Sequence, residues 1–243
     1  MLLEANRLSK IFGGIRVLDE VSISIKEQSI TTVIGPNGSV ISGFVRQDGG
    51  TVHYRTQCLD QIGAAERAVK GLGRLWQDVR LFRNMTVLDN LLVAVKHHPG
   101  DRLMSSFFSR GVMNAKERHA RESAMGTLEM LGLTQDAARF ASNLSYGQQK
   151  LVAIGRLLLN EADLLLIDEP LSGLNGAMIT KVLDLMRTLI GRGKTILMIE
   201  HNVEKALEIA DQVYVMEDGR VEMSGSPSDV QASSILQEVY LGV

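Results

Sequence analysis

The sequence predicts an α/β fold with a mainly parallel sheet, an antiparallel β subdomain near its start and an inserted helical subdomain. Three observations favour this fold. Alternating hydrophobic residues open the chain, apolar runs and helical stretches then alternate in the second half, and the middle third has no apolar strand. Strands that alternate with helices predict a parallel sheet covered on both faces, with its chemistry at the carboxyl ends of the strands.

The first thirty residues show the hydrophobic alternation that is typical of half-buried antiparallel strands. It runs through residues 2–8 and again through residues 21–25. The following segment, residues 29–34, is continuous and rich in β-branched side chains, and it stops at Gly35-Pro36-Asn37-Gly38. A buried strand that enters a glycine-rich turn is the layout of a phosphate-binding loop.

The rest of the chain alternates helices and strands, apart from the middle third. Residues 78–143 are nearly all helical, and we interpret them as a helical subdomain within a single domain that spans residues 1–243. The remaining pattern predicts helices over 64–68, 87–95, 114–131, 146–159, 177–191 and 203–210, strands over 164–167 and 195–199, and a hairpin over 213–221.

The composition limits the classes of partner. The 243 residues have a formal net charge of -2, which gives no electrostatic reason to expect a nucleic-acid partner. The single cysteine, Cys58, cannot form an internal disulfide, which fits a reducing compartment. No secretory leader is recognisable, and the longest apolar runs are too short to span a bilayer. A role at a membrane would therefore depend on a partner protein.

Two adjacent carboxylates give the strongest chemical signal. Asp168 and Glu169 end the apolar strand over residues 164–167, downstream of the segment Leu-Ser-Tyr-Gly-Gln-Gln at 144–149. Paired carboxylates at a strand end can bind Mg²⁺ through the first and poise a water molecule with the second, since side chains alternate along a strand. The alternative is an Asp-Glu-Pro turn that merely ends the strand. The upstream segment favours the functional interpretation.

Several motifs resemble those of the ABC ATPases, which are P-loop NTPases, and they occur in the order and at the spacing found in that family. The resemblance covers essentially the whole chain. Three segments resemble family motifs: residues 144–149 resemble the signature motif, residues 164–170 resemble Walker B, and residues 172–175 resemble the D-loop. Three single residues also match: Gln77 resembles the Q-loop glutamine, His201 resembles the H-loop histidine, and Phe12 resembles the aromatic residue that stacks on adenine.

The resemblance implies ATP and Mg²⁺ as cofactors and a role for each matched residue. It implies that Asp168 and Gln77 bind Mg²⁺, that Glu169 is the general base, and that His201 contacts the γ-phosphate; the alternative for His201 is a surface histidine beside a helix cap. Contacts with the nucleotide are implied for Phe12, Gly35, Pro36, Asn37, Gly38, Ser39, Ser145, Gly147 and Gln148.

The resemblance also implies partners and a location. In this family the signature motif faces the γ-phosphate bound by the opposite subunit, which implies a head-to-tail dimer with an identical or homologous ATPase. Transmembrane permease subunits would dock on the helical subdomain, at the cytoplasmic face of the inner membrane. The tyrosine in the signature, Asn175 and residues 80–90 and 240–242 are similar to those of branched-chain amino-acid importers. Relatives in that group serve urea and other small amides, so the solute stays open.

The phosphate loop departs from the family pattern. After Gly35-Pro36-Asn37-Gly38-Ser39, the chain continues directly with Val40-Ile41-Ser42-Gly43-Phe44, which resembles the end of the helix that normally follows the loop. About seven residues are absent, among them the lysine that binds the β- and γ-phosphates and the Ser/Thr that binds Mg²⁺. No lysine lies between Lys26 and Lys70 to replace it.

Two explanations follow from this departure. In the first, the protein has the segment and the 243-residue sequence omits it; the clean match on both sides favours this explanation. In the second, the chain truly lacks the segment and is a catalytically silent ABC-type module that binds partners. A non-transport ABC ATPase is a further alternative, although such proteins usually have long insertions or a second ATPase half.

Overall fold

A computed structural model describes residues 1–35, 40–95 and 110–234. The chain forms two compact units. The first comprises Met1–Gln77, Asp163–Ser172 and Ile179–Val243, and the second comprises Asp78–Ala162 and Gly173–Met178. In the described part of the chain, no helix has the length and apolar character needed to cross a membrane.

The elements alternate much as the sequence predicts. The strands are β1 Leu3–Phe12, β2 Ile15–Ile25, β3 Ile30–Ile34, β4 Gly49–Tyr54, β5 Gln57–Cys58, β6 Leu72–Leu75, β7 Leu164–Asp168, β8 Thr195–Glu200, β9 Gln212–Glu217 and β10 Arg220–Gly225. The helices are α1 Ala64–Val69, α2 Val87–Leu92, α3 Arg110–Leu131, α4 Tyr146–Leu159, α5 Gly176–Gly191, α6 Val203–Ile209 and α7 Pro227–Gln231.

Strands β1, β2, β4 and β5 form an antiparallel sheet in the order β2-β1-β4-β5. The alternation in the sequence matches its two faces, because Leu3, Ala5 and Leu8 of β1 are buried while Glu4 and Asn6 between them are exposed. The predicted antiparallel β subdomain is therefore present, and it includes a pair of short strands, β4 and β5, that the pattern did not reveal.

The central sheet has six strands in the order β10-β9-β3-β8-β7-β6. Strands β9, β3, β8, β7 and β6 run parallel, and only β10 is antiparallel, at one edge. Every residue of β3 and β8 is buried, which explains why neither strand shows the polar alternation of a half-exposed strand. This arrangement confirms the predicted α/β fold with a mainly parallel sheet.

The second unit is helical. Helices α2, α3 and α4 pack on one another through leucine and isoleucine side chains that are almost completely buried, namely Leu91, Leu128, Leu131, Leu151 and Ile154. Signature helix α4 therefore belongs to this unit, together with the start of α5. The unit begins at Asp78, where the sequence analysis also began the helical subdomain, and it extends beyond residue 143.

A turn follows β3 where a phosphate loop normally leads into a helix. Residues 40–43 form turns, and none of the described residues between β3 and β4 is helical. Val40 and Ile41 are nevertheless buried, each 3% exposed. The side chain of Arg67 fixes this turn, because its guanidinium donates hydrogen bonds to the carbonyl oxygens of Val40 and Ile41 at 3.1 and 2.6 Å.

Candidate functional site

The parallel pairing of β7 with β8 brings together the two strand ends that the sequence singled out. Asp168, the last residue of β7, pairs with Ile199 of β8. The loops after the two strands, which contain Glu169 and His201, therefore leave the same edge of the sheet. Strand β6 pairs with the other side of β7, and Gln77 follows it by two residues.

Glu169, Gln77 and His201 contact one another at this edge. Gln77 Nε2 donates a hydrogen bond to Glu169 Oε2 at 2.6 Å, and His201 Nε2 lies 3.3 Å from Glu169 Oε1. The Glu169 side chain is 23% exposed and that of His201 is 57% exposed. The carboxylate is thus held on both oxygens while it stays open to solvent, as a group that exchanges protons with a water molecule must be.

The backbone of Glu169 is in the left-handed region, with φ +46°. Its amide donates to the carbonyl oxygen of Ile199 at 2.9 Å, and its carbonyl oxygen accepts from Ser172 at 3.3 Å. The neighbouring loop is fixed by Glu200, a buried residue whose Oε1 accepts the amide hydrogen of Leu171 at 2.8 Å. Non-glycine residues with positive φ persist only where the surroundings impose the conformation, and such residues concentrate at functional sites.

Asp168 has one carboxylate oxygen paired and one unpaired. Its Oδ2 accepts from Arg74 Nε at 2.9 Å and also pairs with Arg74 Nη2. Its Oδ1 is buried and has no hydrogen-bond partner among the described residues. An unpaired buried carboxylate oxygen is costly unless a ligand satisfies it. The residues therefore fit a hard cation such as Mg²⁺, which needs only one or two protein carboxylates.

No cluster of three or more His, Cys, Asp or Glu side chains with metal-binding geometry occurs in the described ranges. A metal site made entirely of protein ligands is thus not found there. This is compatible with the site at Asp168, because Mg²⁺ usually takes most of its oxygen ligands from water and from the phosphates of the substrate.

The signature residues Ser145, Gly147 and Gln148 lie at the start of α4. Ser145 is the N-cap: its Oγ accepts from the amide of Gln148 at 3.3 Å, and Gln148 Oε1 accepts from the amide of Ser145 at 3.0 Å. A side chain at Gly147 would clash, since a Cβ there would come within 2.6 Å of Met178 Cγ. This reciprocal cap fixes the helix end, where free amides attract anions.

Phe12 ends β1, and its ring is exposed. Lys10 Nζ lies 5.2 Å from the ring centroid, and Asp48 accepts hydrogen bonds from Lys10 Nζ at 2.7 Å and from the amide of Ile11 at 2.8 Å. These two bonds hold the pKa of Asp48 below its ordinary value. The strand end that presents Phe12 is thereby fixed to the segment that precedes β4.

Gly35 follows the last residue of β3 and has a φ of +131°. The other predicted phosphate-loop residues, Pro36, Asn37, Gly38 and Ser39, lie outside the described residues, as does the C-terminal segment 240–242 that the sequence analysis compared with the importer ATPases.

An apolar cavity lies between the two sheets of the first unit, beside the turn after β3. It is lined by residues of both sheets and by two residues of the turn: Leu8, Leu18, Val21, Ile23, Val33, Val40, Ile41, Leu197, Ile199 and Met216. A gap between packed layers loses the contacts that its lining would otherwise make. The turn residues Val40 and Ile41 therefore reach the apolar interior between the two sheets.

Neither Arg74, which pairs with Asp168, nor Glu200, which fixes the loop after β7 through the amide of Leu171, was predicted from the sequence. Arg74 was overlooked because β6 has four residues and includes a glycine, so it gave no strand signal. A polar side chain between apolar neighbours, three residues before Gln77, was the available clue. Glu200 directly follows the predicted strand over residues 195–199, and a carboxylate that ends an otherwise apolar buried strand needs a buried partner.

Comparison with known proteins places the chain in a family. The model of the ABC transporter family matches residues 18–172. The high-affinity branched-chain amino acid transport ATP-binding protein LivG of Salmonella typhimurium is 34% identical over 249 aligned positions, which cover 99% of this chain and 98% of the relative. That alignment is longer than the 243 residues of the chain, so the relative has residues that this chain lacks.

Solved structures agree with the sequence relatives. The ADP conformation of an ATP-binding cassette of an ABC transporter superposes with a TM-score of 0.85 at 32% identity, covering 100% of this chain and 99% of that one. A dimeric bacterial ABC transporter cassette shares the fold, with a TM-score of 0.74 at 24% identity over 93% of this chain and 98% of its own. The resemblance seen in the motifs is therefore confirmed, and the chain belongs to the ABC transporter family as one of its ATP-binding ATPase subunits.

Proposed function

We propose that this chain energises an importer of branched-chain amino acids or similar small polar solutes. The observation that supports it most is the cluster at the ends of β6, β7 and β8, where Gln77 and His201 both contact Glu169 beside Asp168. The proposed solute rests on a relative named as a branched-chain amino acid transport protein that matches almost the full length of the chain.

In the proposed mechanism, each side chain at the sheet edge has one task. Glu169 accepts the proton of the attacking water molecule, and His201 and Gln77 orient that carboxylate through its two oxygens. Asp168, through its unpaired Oδ1, and Gln77 would hold Mg²⁺. A bound Mg²⁺ supplies charge neutralisation for the phosphates of ATP. Phe12 offers an exposed ring for stacking on the base.

The signature helix supports a dimer. Ser145 and Gln148 cap the start of a 14-residue helix, and Gly147 lies between them in the sequence. Backbone amides at this helix end are suited to bind a phosphate. In the proposed assembly this phosphate belongs to ATP on a second ATPase subunit. Transmembrane permease subunits dock on the helical subdomain, residues 78–143, at the cytoplasmic face of the inner membrane.

The phosphate loop determines whether the chain hydrolyses ATP. The turn after β3 lacks the lysine of the family pattern, and this favours a second candidate function, a silent ABC-type module that binds partners without turnover. The intact mass of the protein purified from its source separates the two. A mass higher than that of the 243 residues by about seven residues supports the ATPase. An equal mass supports the silent module.

Glu169→Gln tests the catalytic assignment. It keeps the hydrogen bond from Gln77 and removes the base, so phosphate release from ATP should fall by about 10²- to 10⁴-fold with Mg-ATP binding retained. Glu204→Gln, which changes a highly exposed carboxylate, is the matched control and should leave turnover unchanged. Turnover by Glu169→Gln at the unmodified rate would exclude Glu169 as the base.

A further inference from the structure

Arg74 is the basic residue that contacts the predicted metal ligand. Two of its nitrogens, Nε and Nη2, bind Asp168 Oδ2, and its Nη1 donates to Ser42 Oγ at 2.5 Å. Its side chain is only 7% exposed. One guanidinium therefore joins β6 and β7 to the turn that follows the phosphate loop.

Two aromatic rings also lie against this guanidinium. Its central carbon lies 4.0 Å from the ring centroid of Trp76 and 5.6 Å from that of Phe44, and the two rings meet edge to face at 4.4 Å. The face of an aromatic ring attracts a cation, but it does not fix the direction in which the N–H groups of that cation point. Arg67 is different, since its guanidinium bonds to four backbone carbonyl oxygens. Arg74 can exchange its side-chain partners, whereas Arg67 is committed to the backbone.

The sequence offers no lysine for the phosphates. None lies in residues 27–69, and the described arginines of that stretch have other partners: Arg46 binds Gln61, Arg55 binds Asp163 and Arg67 binds carbonyls. Arg74 already lies against the carboxylate that would hold the metal. Phosphates bound to the same metal as Asp168 come within a few ångströms of that carboxylate, since Mg–O distances are about 2.0–2.1 Å.

We propose that Arg74 is a phosphate-binding residue of this chain, exchanged from Asp168 to the nucleotide when a divalent cation takes that carboxylate. The inference rests on the proposed nucleotide-binding function and on the 243-residue sequence, which has no phosphate-loop lysine. A cation at Asp168 repels the guanidinium and removes its anionic partner. Phosphate oxygens are the nearest replacement, and the planar guanidinium matches them in charge and geometry. Without nucleotide, the Arg74–Asp168 pair keeps the metal ligand neutralised.

The fluorescence of Trp76 reports this exchange, because Trp76 is the only tryptophan in the chain and touches Arg74. The unmodified protein, Arg74→Met and Arg74→Lys are titrated with Mg²⁺ alone and with Mg-ADP, and calorimetry repeats the affinities. We expect Arg74→Met to bind Mg²⁺ alone about tenfold more tightly. The same variant should bind Mg-ADP about 10- to 100-fold more weakly. Arg55→Met, which removes an exposed arginine, is the matched control and should change neither affinity.

Opposite shifts of the two affinities support the exchange. Unchanged or tighter Mg-ADP binding by Arg74→Met overturns it and leaves Arg74 as a structural partner of Asp168. If Arg74→Met fails to fold, Arg74→Gln replaces it: this variant removes the charge, so binding of Mg-ADP at the unmodified affinity overturns the inference. Arg74→Lys keeps the charge and should retain part of the affinity. If neither the unmodified protein nor Arg55→Met binds Mg-ADP, the proposed function itself fails.

Discussion

The ends of β3 and β7 lie two strands apart in one parallel sheet, but different structures follow them. After β7, the region that we call the carboxylate side brings Asp168, Glu169, Gln77 and His201 together through direct contacts. After β3, the phosphate side comprises Gly35 and the turn over residues 40–45, with no helix among its described residues and an apolar cavity beside it.

The difference shows which interactions build each side. The carboxylate side depends on the pairing of β6, β7 and β8, and each of these strands is formed and paired in the structure. The phosphate side needs, besides β3, a helix that covers the sheet and supplies a lysine and amide donors. The carboxylate side does not depend on that helix, because the strands β6, β7 and β8 that build it pair with one another directly. Four changes test this separation, in order of decreasing expected effect.

The largest effect is expected from restoring the phosphate side. Insertion of Gly-Lys-Thr and four apolar helix-forming residues after Ser39 should raise the Mg-ADP affinity by about 100-fold or more, since the lysine and new amides bind phosphate. It should also stabilise the fold by about 0.5–2 kcal/mol, because the added apolar residues bury surface against the sheet. Calorimetry and urea unfolding measure the two effects.

The control for this insertion is the same segment with alanine in place of lysine. It should keep the gain in stability and lose most of the gain in affinity. If both insertions lower the free energy of unfolding, the turn that contains Val40 and Ile41 is not the place of a missing helix.

Arg67→Met should destabilise the phosphate side next most strongly. It removes the donor of four hydrogen bonds to carbonyl oxygens, and those of Ile41 and Ile62 lose the side-chain donor that they have here, so we expect a loss of about 2 kcal/mol in the free energy of unfolding. Arg46→Met, whose partner is the side chain of Gln61, should cost less than about 0.5 kcal/mol. Equal urea midpoints for the two variants would contradict the role of Arg67 in fixing the turn.

Glu200→Ala tests the carboxylate side in the same way. It leaves the buried amide of Leu171 without its acceptor, and the expected loss is about 1–3 kcal/mol. Glu200→Gln keeps an acceptor oxygen in place and should recover part of this stability. A larger loss for Glu200→Gln than for Glu200→Ala would show that the hydrogen bond to Leu171 does not fix the loop after β7.

The smallest effect concerns pH and the strand end that presents Phe12. Hydrogen bonds from Lys10 and from the amide of Ile11 lower the pKa of Asp48 below its ordinary value of 3.8. The stabilisation by Asp48 is therefore complete above that ordinary pKa and is lost as the pH falls through the lower pKa of the folded state. Asp48→Asn should make the unfolding free energy less dependent on pH below 3.8. Parallel pH profiles for the two proteins would contradict this coupling.

The sequence predicted which strands and residues form the carboxylate side, but it did not predict the contacts between those residues. Strands β7 and β8 were recognisable as apolar runs, and the family motifs identified Glu169, His201 and Gln77. The hydrogen bond between Gln77 and Glu169 was not predictable from spacing, since 92 positions separate them and only the pairing of β6 with β7 brings them together. Strand β6 itself gave no signal because Gly73 and Arg74 interrupt its apolar pattern.

Short elements were missed for related physical reasons. Strand β4 begins with two glycines, and β5 has two residues, so neither shows a period of its own. Helix α7 has five residues and is defined by the capping box of Ser226 and Asp229. Its local cap was visible in the sequence, whereas the packing of Val230 against residues of the central sheet required the fold.

The left-handed backbone of Glu169 sets stability and activity against each other at one position. With φ at +46°, this residue pays a conformational cost that glycine would avoid and asparagine would reduce. Substitutions that relieve the strain remove the proposed general base, so the most stable variants at this site are expected to be inactive. Selection for thermal stability alone would therefore drive this position away from glutamate, and its retention would mark selection for turnover.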